Sequence, residues 1–197
     1  MVILTPEQTS AIVAASDPLY RPLLAFLVGT GCRIGEALGL TWADLSVPER
    51  TARIAMQVNR DGQRVSLKTD HSRRTLELHG PLVALLAEHK LASQDNRPGA
   101  LVFASGSGTA FSDRNVARRG LQVACQRTAV PVISPHALRH AHASALLADG
   151  WDLAAVSRRL GHGSVAITAS TYAHLIEDDA RRQQRRASLD RLYGTSR

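Results

Sequence analysis

Between Thr51 and Leu78 the sequence changes its hydrophobic period. The segments TARIAMQV (51–58), QRVSLKT (63–69) and SRRTLEL (72–78) alternate and are rich in β-branched residues, with Asp61-Gly62 at the first junction and KTDHS across the second. Period-two alternation puts successive side chains on opposite faces, and Asp-Gly is a strong hairpin signal, so a small antiparallel sheet of three strands is predicted. Everything around it reads as helix. The fold class that follows is mostly α (α+β): a helical domain carrying one small three-stranded antiparallel sheet.

The helices announce their ends. Thr5, Pro6 and Gln8 form an N-cap, a first-turn proline and a capping-box partner. The apolar stretch DPLYRPLLAFLVGTG is expected to stop at Gly29 and Gly31, and CRIGEALGL to begin a short helix that holds Arg33 and Glu36 one turn apart. Pro81 opens PLVALLAEHK, and Ser112 caps a helix bearing Arg114, Arg118 and Arg119. Ser134-Pro135 caps the next helix, Asp152 caps DLAAVSRRL before Gly161, and Ser164 caps SVAITASTYAHL. The final IEDDARRQQRRASLDRLYG reads as a polar helix with a thin apolar stripe of Ala180, Ala187 and Leu189. No internal repeat or low-complexity tract interrupts the chain.

Charge narrows the partners. A formal net charge of +7 and a pI near 10.4 suggest a polyanion, against the alternative of a basic surface that serves only solubility. Cys32 and Cys125 are too few for a disulfide framework. With no apolar run long enough for a membrane span and no signal peptide at Met1–Ser10, the expectation is a soluble cytoplasmic protein without a membrane partner.

The stretch SPHALRHAH (134–142) poses a choice. His136 and His140, four apart, could present two imidazoles to zinc; His136 and Arg139, three apart, could grip a phosphate. A guanidinium repels zinc and fits phosphate with its fork of donors. The zinc reading also lacks the glutamate of an HExxH motif and a convincing third ligand. Neither a GxxxxGK[ST] loop nor a carboxylate cluster suited to Mg²⁺ occurs, so no cofactor or metal is expected.

Four pieces, TGCRIGEALGLTWADL, LKTDHSRRTLEL, HALRHAHASALLADG and VSRRLGHGSVAITASTYAHL, together span Thr30 to Leu175. In that order they resemble the catalytic domain of the tyrosine recombinases, the phage-integrase and Xer-type family. The resemblance implies that Arg33, Lys68, His136, Arg139, His162 and Tyr172 are catalytic, Tyr172 being the nucleophile, with Glu36 and His140 in support. It implies a catalytic domain over 1–176, an arginine-rich tail helix over 177–197, and the absence from this chain of the N-terminal helical domain that family members carry. The partners it implies are double-stranded DNA, a homotetramer on two DNA sites, and accessory DNA-bending proteins.

The chemistry suits those residues. A phenol with a pKa of about 10 needs cations beside it to act as a nucleophile. Of the other tyrosines, Tyr20 lies among apolar residues and Tyr193 at the chain end. Arg33 and Arg139 would clamp the two non-bridging phosphate oxygens. His136 and His162 could donate to phosphate or accept the tyrosine proton, and the sequence does not separate these roles. All Lys and Arg residues other than Lys68 and Lys90 are arginine, so a lysine at this turn fits a need for a transferable proton, to be given to the departing sugar oxygen. The activity that the resemblance implies is site-specific DNA strand exchange through a 3′-phosphotyrosine. Type IB topoisomerase-like relaxation, a non-catalytic DNA-binding module and a zinc hydrolase are the rivals.

Overall fold

A computed structural model describes residues 3–176 and 179–194, of which 70, 173–176 and 179–185 are described by their backbone alone. Three helices come first: α1 (Pro6–Ala15), α2 (Arg21–Thr30) and α3 (Ile34–Leu38). The Thr5–Gln8 capping box forms as expected. Gly29, by contrast, lies inside α2; Gly31 alone ends it, in the left-handed conformation (φ 65°) that costs glycine little.

The sheet is three-stranded and antiparallel, but its strands are not the three expected. Its order is β1 (Leu45–Ser46), β2 (Thr51–Ile54), β5 (Arg74–Glu77), with Ala52 opposite Leu76. The segment read as one strand over 51–58 breaks at Ala55, and β3 (Met56–Val58) pairs only with β4 (Arg64–Ser66) in a separate ribbon. The ribbon leaves the sheet to lie on α3, where a Cβ on Gly39 would come within 2.8 Å of the Gln57 backbone. Hairpin and sheet therefore share a sequence run while covering different surfaces.

Helix α4 (Gly80–Ala92) follows, then one continuous helical run of α5 (Asp113–Asn115), a π-helical turn (Val116–Gln122) and α6 (Val123–Arg127). The last four helices are α7 (Pro135–Ala148), α8 (Leu153–Leu160), α9 (Val165–Ile176) and α10 (Asp179–Tyr193); Asp152 caps α8 as expected, whereas Ser134 occupies the N-cap position of α7 without a side-chain capping bond. Among the described residues no helix is long and apolar enough to cross a membrane.

The main core forms around α2, whose Leu23, Leu24, Phe26 and Leu27 are buried with Ala52, Ile54 and Leu76 of the sheet, Leu82 and Leu86 of α4, and Leu138 and Ala141 of α7. A second, smaller core joins Ala143 and Leu147 of α7 to Val156 and Leu160 of α8 and Tyr172 of α9. Helix α7 thus touches both, and its polar residues are fixed between them. Of the stripe expected on the tail, Ala187 and Leu189 are exposed on α10, and the side chain of Ala180 lies outside the described set, as do Glu177, Asp178 and residues 195–197.

Gly161 is the joint that turns the chain from α8 toward His162. Its φ is 69°, and a Cβ there would lie 2.7 Å from the Arg74 guanidinium. Gly161→Ala should therefore lower the unfolding free energy by about 1–3 kcal/mol in urea titrations. Gly163→Ala, where the added carbon meets open space, should stay within about 0.5 kcal/mol of the parent.

Candidate active site

Arg139 lies at the centre of the expected site, with only 2% of its surface exposed. Its Nη1 donates to the carbonyl of Gly31 and its Nη2 to that of Leu160, each at 2.8 Å. These carbonyls belong to the C-terminal ends of α2 and α8, where backbone oxygens lack helical partners and carry partial negative charge. Among the described residues no carboxylate bonds to Arg139. Burial, then the charge of Arg33, pushes its pKa down to about 10. The group remains cationic at neutral pH, buried and without a full counter-charge.

Arg33 is the N-cap residue of α3, its side chain 42% exposed. Its Nη1 donates to Oε1 of Glu36 at 2.9 Å and its backbone N–H to Oε2 at 3.0 Å. Glu36 is 1% exposed and is held from behind by Arg74, whose Nη2 and Nη1 donate to its two oxygens at 2.8 and 3.3 Å. Burial alone would raise the Glu36 pKa; the hydrogen bond and charge of Arg74, with those of Arg33, outweigh it and hold the carboxyl below its ordinary value. Arg74 also donates to the carbonyls of Arg159 (2.7 Å) and Ser72 (2.8 Å), so one guanidinium ties α3 and β5 to the end of α8.

Sequence reading passed over Arg74, although a signal was present. In SRRTLEL the buried Leu76 and Leu78 share its parity, so Arg74 points to the interior side of the strand. An arginine there requires a buried anion, and Glu36 is that anion.

His162 follows Gly161 and is half-buried; its Nδ1 lies 2.7 Å from the hydroxyl of the fully buried Thr168. Burial and then the charges of Arg139, Arg33 and Arg74 push its pKa down to about 4. His136 is exposed at the start of α7, and its pKa is lowered by burial, Arg139 and Arg33. Both imidazoles are neutral at pH 7. His142, the third histidine of the motif, is structural: Nδ1 meets the Val28 carbonyl at 2.9 Å and Nε2 accepts from Nε of Arg159 at 3.1 Å.

Tyr172 is 1% exposed. Its hydroxyl is 2.8 Å from Nδ1 of His140, not at His136 or His162, and burial raises its pKa while Arg139 draws it back. The His140 ring stands edge-on to His136, with ring centroids 4.6 Å apart. For the zinc alternative, no group of three or more His, Cys, Asp or Glu among the described residues is arranged to hold a metal ion. Tyr20 is a core residue packed on Phe111, and Tyr193 is exposed.

The structure thus brings Arg33, Glu36, His136, Arg139, His140, His162 and Tyr172 together. Lys68 is exposed in the bend after β4, and none of the hydrogen bonds among the described residues joins it to these seven.

The sequence pattern of the phage integrase family matches residues 3–178. The chain belongs to that family. It is 34% identical over 176 residues to the tyrosine recombinase XerD of Corynebacterium glutamicum, a match covering 87% of this chain and 53% of that protein. A tyrosine recombinase XerC-like protein of Caldanaerobacter subterraneus subsp. tengcongensis is 30% identical over 177 residues, 78% of this chain and 44% of the relative. The chain thus spans about half the length of the curated relatives it matches. In fold it is similar to the Tn1549 transposon integrase, solved in complex with a circular intermediate DNA: TM-score 0.80, 21% identity, 94% of this chain and 66% of that one. Within the integrase fold, α3, α7, the α8–α9 turn and α9 supply the clustered residues.

Glu36→Gln removes the anion that two arginines share and should cost on the order of 3 kcal/mol of unfolding free energy at pH 7. Because the carboxyl pKa is depressed in the folded chain, its stabilisation is complete above the ordinary value of about 4.3 and fades as pH falls through the folded value. The difference between parent and variant should therefore shrink below about pH 4. A difference independent of pH would show that packing, not charge, accounts for the loss.

Proposed function

We propose that this chain is the catalytic domain of a tyrosine-type site-specific DNA recombinase. The observation that carries the reading is Arg139: a buried guanidinium held by helix-end carbonyls, beside a half-exposed arginine and two neutral histidines, is a seat for a phosphodiester. Family membership and the relatives named XerC-like and XerD support the same reading.

Arg139 and Arg33 hold the two non-bridging oxygens, and their hydrogen bonds strengthen as charge builds on the pentacoordinate phosphorus. His162, its Nδ1 engaged by Thr168, adds a donor through Nε2. Tyr172 attacks, and a 3′-phosphotyrosine replaces the phosphodiester. Lys68 gives its proton to the departing 5′-oxygen. Because one phosphodiester is exchanged for another, the 5′-hydroxyl of a partner strand can reverse the step without ATP, and arginine supplies the positive charge otherwise provided by a metal. Residues 1–176 form this catalytic unit, and the tail over 177–197 engages a second protomer in a tetramer on two DNA sites. Such an enzyme acts on DNA in the cytoplasm, at the nucleoid.

The test is covalent capture. DNA from the native genome linked to the protein is sequenced, and a nicked duplex of that sequence is then used to trap the adduct in EDTA. Tyr172→Phe should abolish the adduct while sparing DNA binding, and Lys68→Ala or Arg should slow it by about 10²–10⁴-fold. With sulfur in place of the bridging 5′-oxygen, the Lys68 variants should regain most of their rate while Arg33→Ala and Arg139→Ala stay slow. An adduct at another tyrosine, or Lys68 variants equally slow on sulfur, would refute these assignments.

A further inference from the structure

We infer that His140 is the base that takes the phenol proton of Tyr172 during cleavage. The inference rests on the recombinase reading above and assigns a residue to a step which that reading leaves without one.

The Tyr172 hydroxyl has one proton to place. Tyr172 packs in a small core with the apolar Ala143, Leu147, Val156 and Leu160, and among the described residues the hydrogen-bond partner of its hydroxyl is Nδ1 of His140. If Nδ1 carried a hydrogen, the phenol oxygen would accept it and the phenol proton would be left without an acceptor in a site almost closed to water. An unpaired donor in such a place is costly. The arrangement is satisfied when His140 is neutral, with its proton on Nε2 and Nδ1 accepting from the phenol. The bond is thus already aligned for proton transfer.

The other two histidines are placed for other work. His162 spends its Nδ1 on Thr168, and His136 touches His140 edge-on. The groups bearing on His140 are His136 and Arg139 from its own helix and Tyr172 from α9. Burial, then His136 and Arg139, lower its pKa, so that the free base is present at neutral pH.

In the step itself, a bond forms between Oη of Tyr172 and phosphorus, and the bond from phosphorus to the 5′-oxygen breaks. The phenol proton passes to Nδ1 of His140, and the Lys68 ammonium gives its proton to the 5′-oxygen. The phosphate brings negative charge beside the new imidazolium. On resealing, the 5′-oxygen bonds to phosphorus as its proton returns to the Lys68 amine, the bond from phosphorus to Oη breaks, and His140 gives its proton back to the departing tyrosine oxygen, so the charges are restored.

Two measurements decide it. Long-range ¹⁵N–¹H spectra of the histidine-labelled free chain at pH 7 should show His140 with Nε2 protonated and Nδ1 bare; the opposite tautomer overturns the inference. In single-turnover cleavage of the nicked duplex described above, His140→Asn should slow adduct formation by about 10²–10⁴-fold. Replacing Tyr172 with 3,5-difluorotyrosine, whose phenol ionises at lower pH, should bring His140→Asn to within about tenfold of the chain with His140 intact and the same fluorinated residue. A merely structural loss would not respond to phenol acidity. An unchanged or faster rate in His140→Asn, or a slow rate that the fluorinated tyrosine does not relieve, overturns the inference alone. Failure of the parent chain to form any adduct overturns the recombinase reading and this inference with it.

Discussion

A buried positive charge is expensive, and the site depends on how this chain holds one. Taking a guanidinium out of water costs several kcal/mol unless its donors are met. Arg139 is met by the C-terminal carbonyls of α2 and α8 rather than by a carboxylate. Two helix ends supply partial negative charge and hydrogen bonds, enough to fix the fork in place but not enough to neutralise it. A carboxylate in their position would compete with phosphate for the same donors. The chain instead places its buried carboxylate one step back, at Glu36, where it orients Arg33 and is itself braced by Arg74.

Concentrating arginines in this way sets the protonation of everything near them. His162, His136 and His140 each have pKa values lowered first by burial and then by neighbouring positive groups. Tyr172, buried against its own small core, is held as a neutral phenol. The free site therefore carries fixed positive charge on arginine and neutral proton-transfer groups around it. On the proposed reading a phosphodiester would supply the missing anion, and with it the field that lets an imidazolium and a pentacoordinate phosphorus share the pocket.

Much of this was legible in the sequence because it is written in local rules. Thr5, Pro6 and Gln8 form their capping box, Asp152 caps α8, and Gly31 and Gly161 end helices, since caps depend on a few adjacent residues. His136, Arg139 and His140 share one helix, so their spacing placed them together. Long-range matters were not legible. The break at Ala55 reflects where α3 needs cover, and neither flanking residue signals it. Arg74 and Glu36 are 38 positions apart, and only strand parity hinted at their pairing. The partnership of His140 with Tyr172 depends on how α9 docks on α7, so His140 reads from sequence as a support residue. The π-helical turn at Val116–Gln122, where Gly120 lies under the ring of Tyr20, has no local signal in its residues.

On the proposed reading Arg139 is an unneutralised cation shaped for a tetrahedral oxyanion. Its most direct test is to soak crystals of the free chain with tungstate, a phosphate mimic located by its anomalous scattering. The strongest site is expected within hydrogen-bond reach of the guanidinia of Arg139 and Arg33 and is lost in Arg139→Met, while the exposed Arg118 and Arg119 bind tungstate weakly or not at all. Tungstate that prefers those surface arginines, or that binds the site undiminished without Arg139, would contradict it.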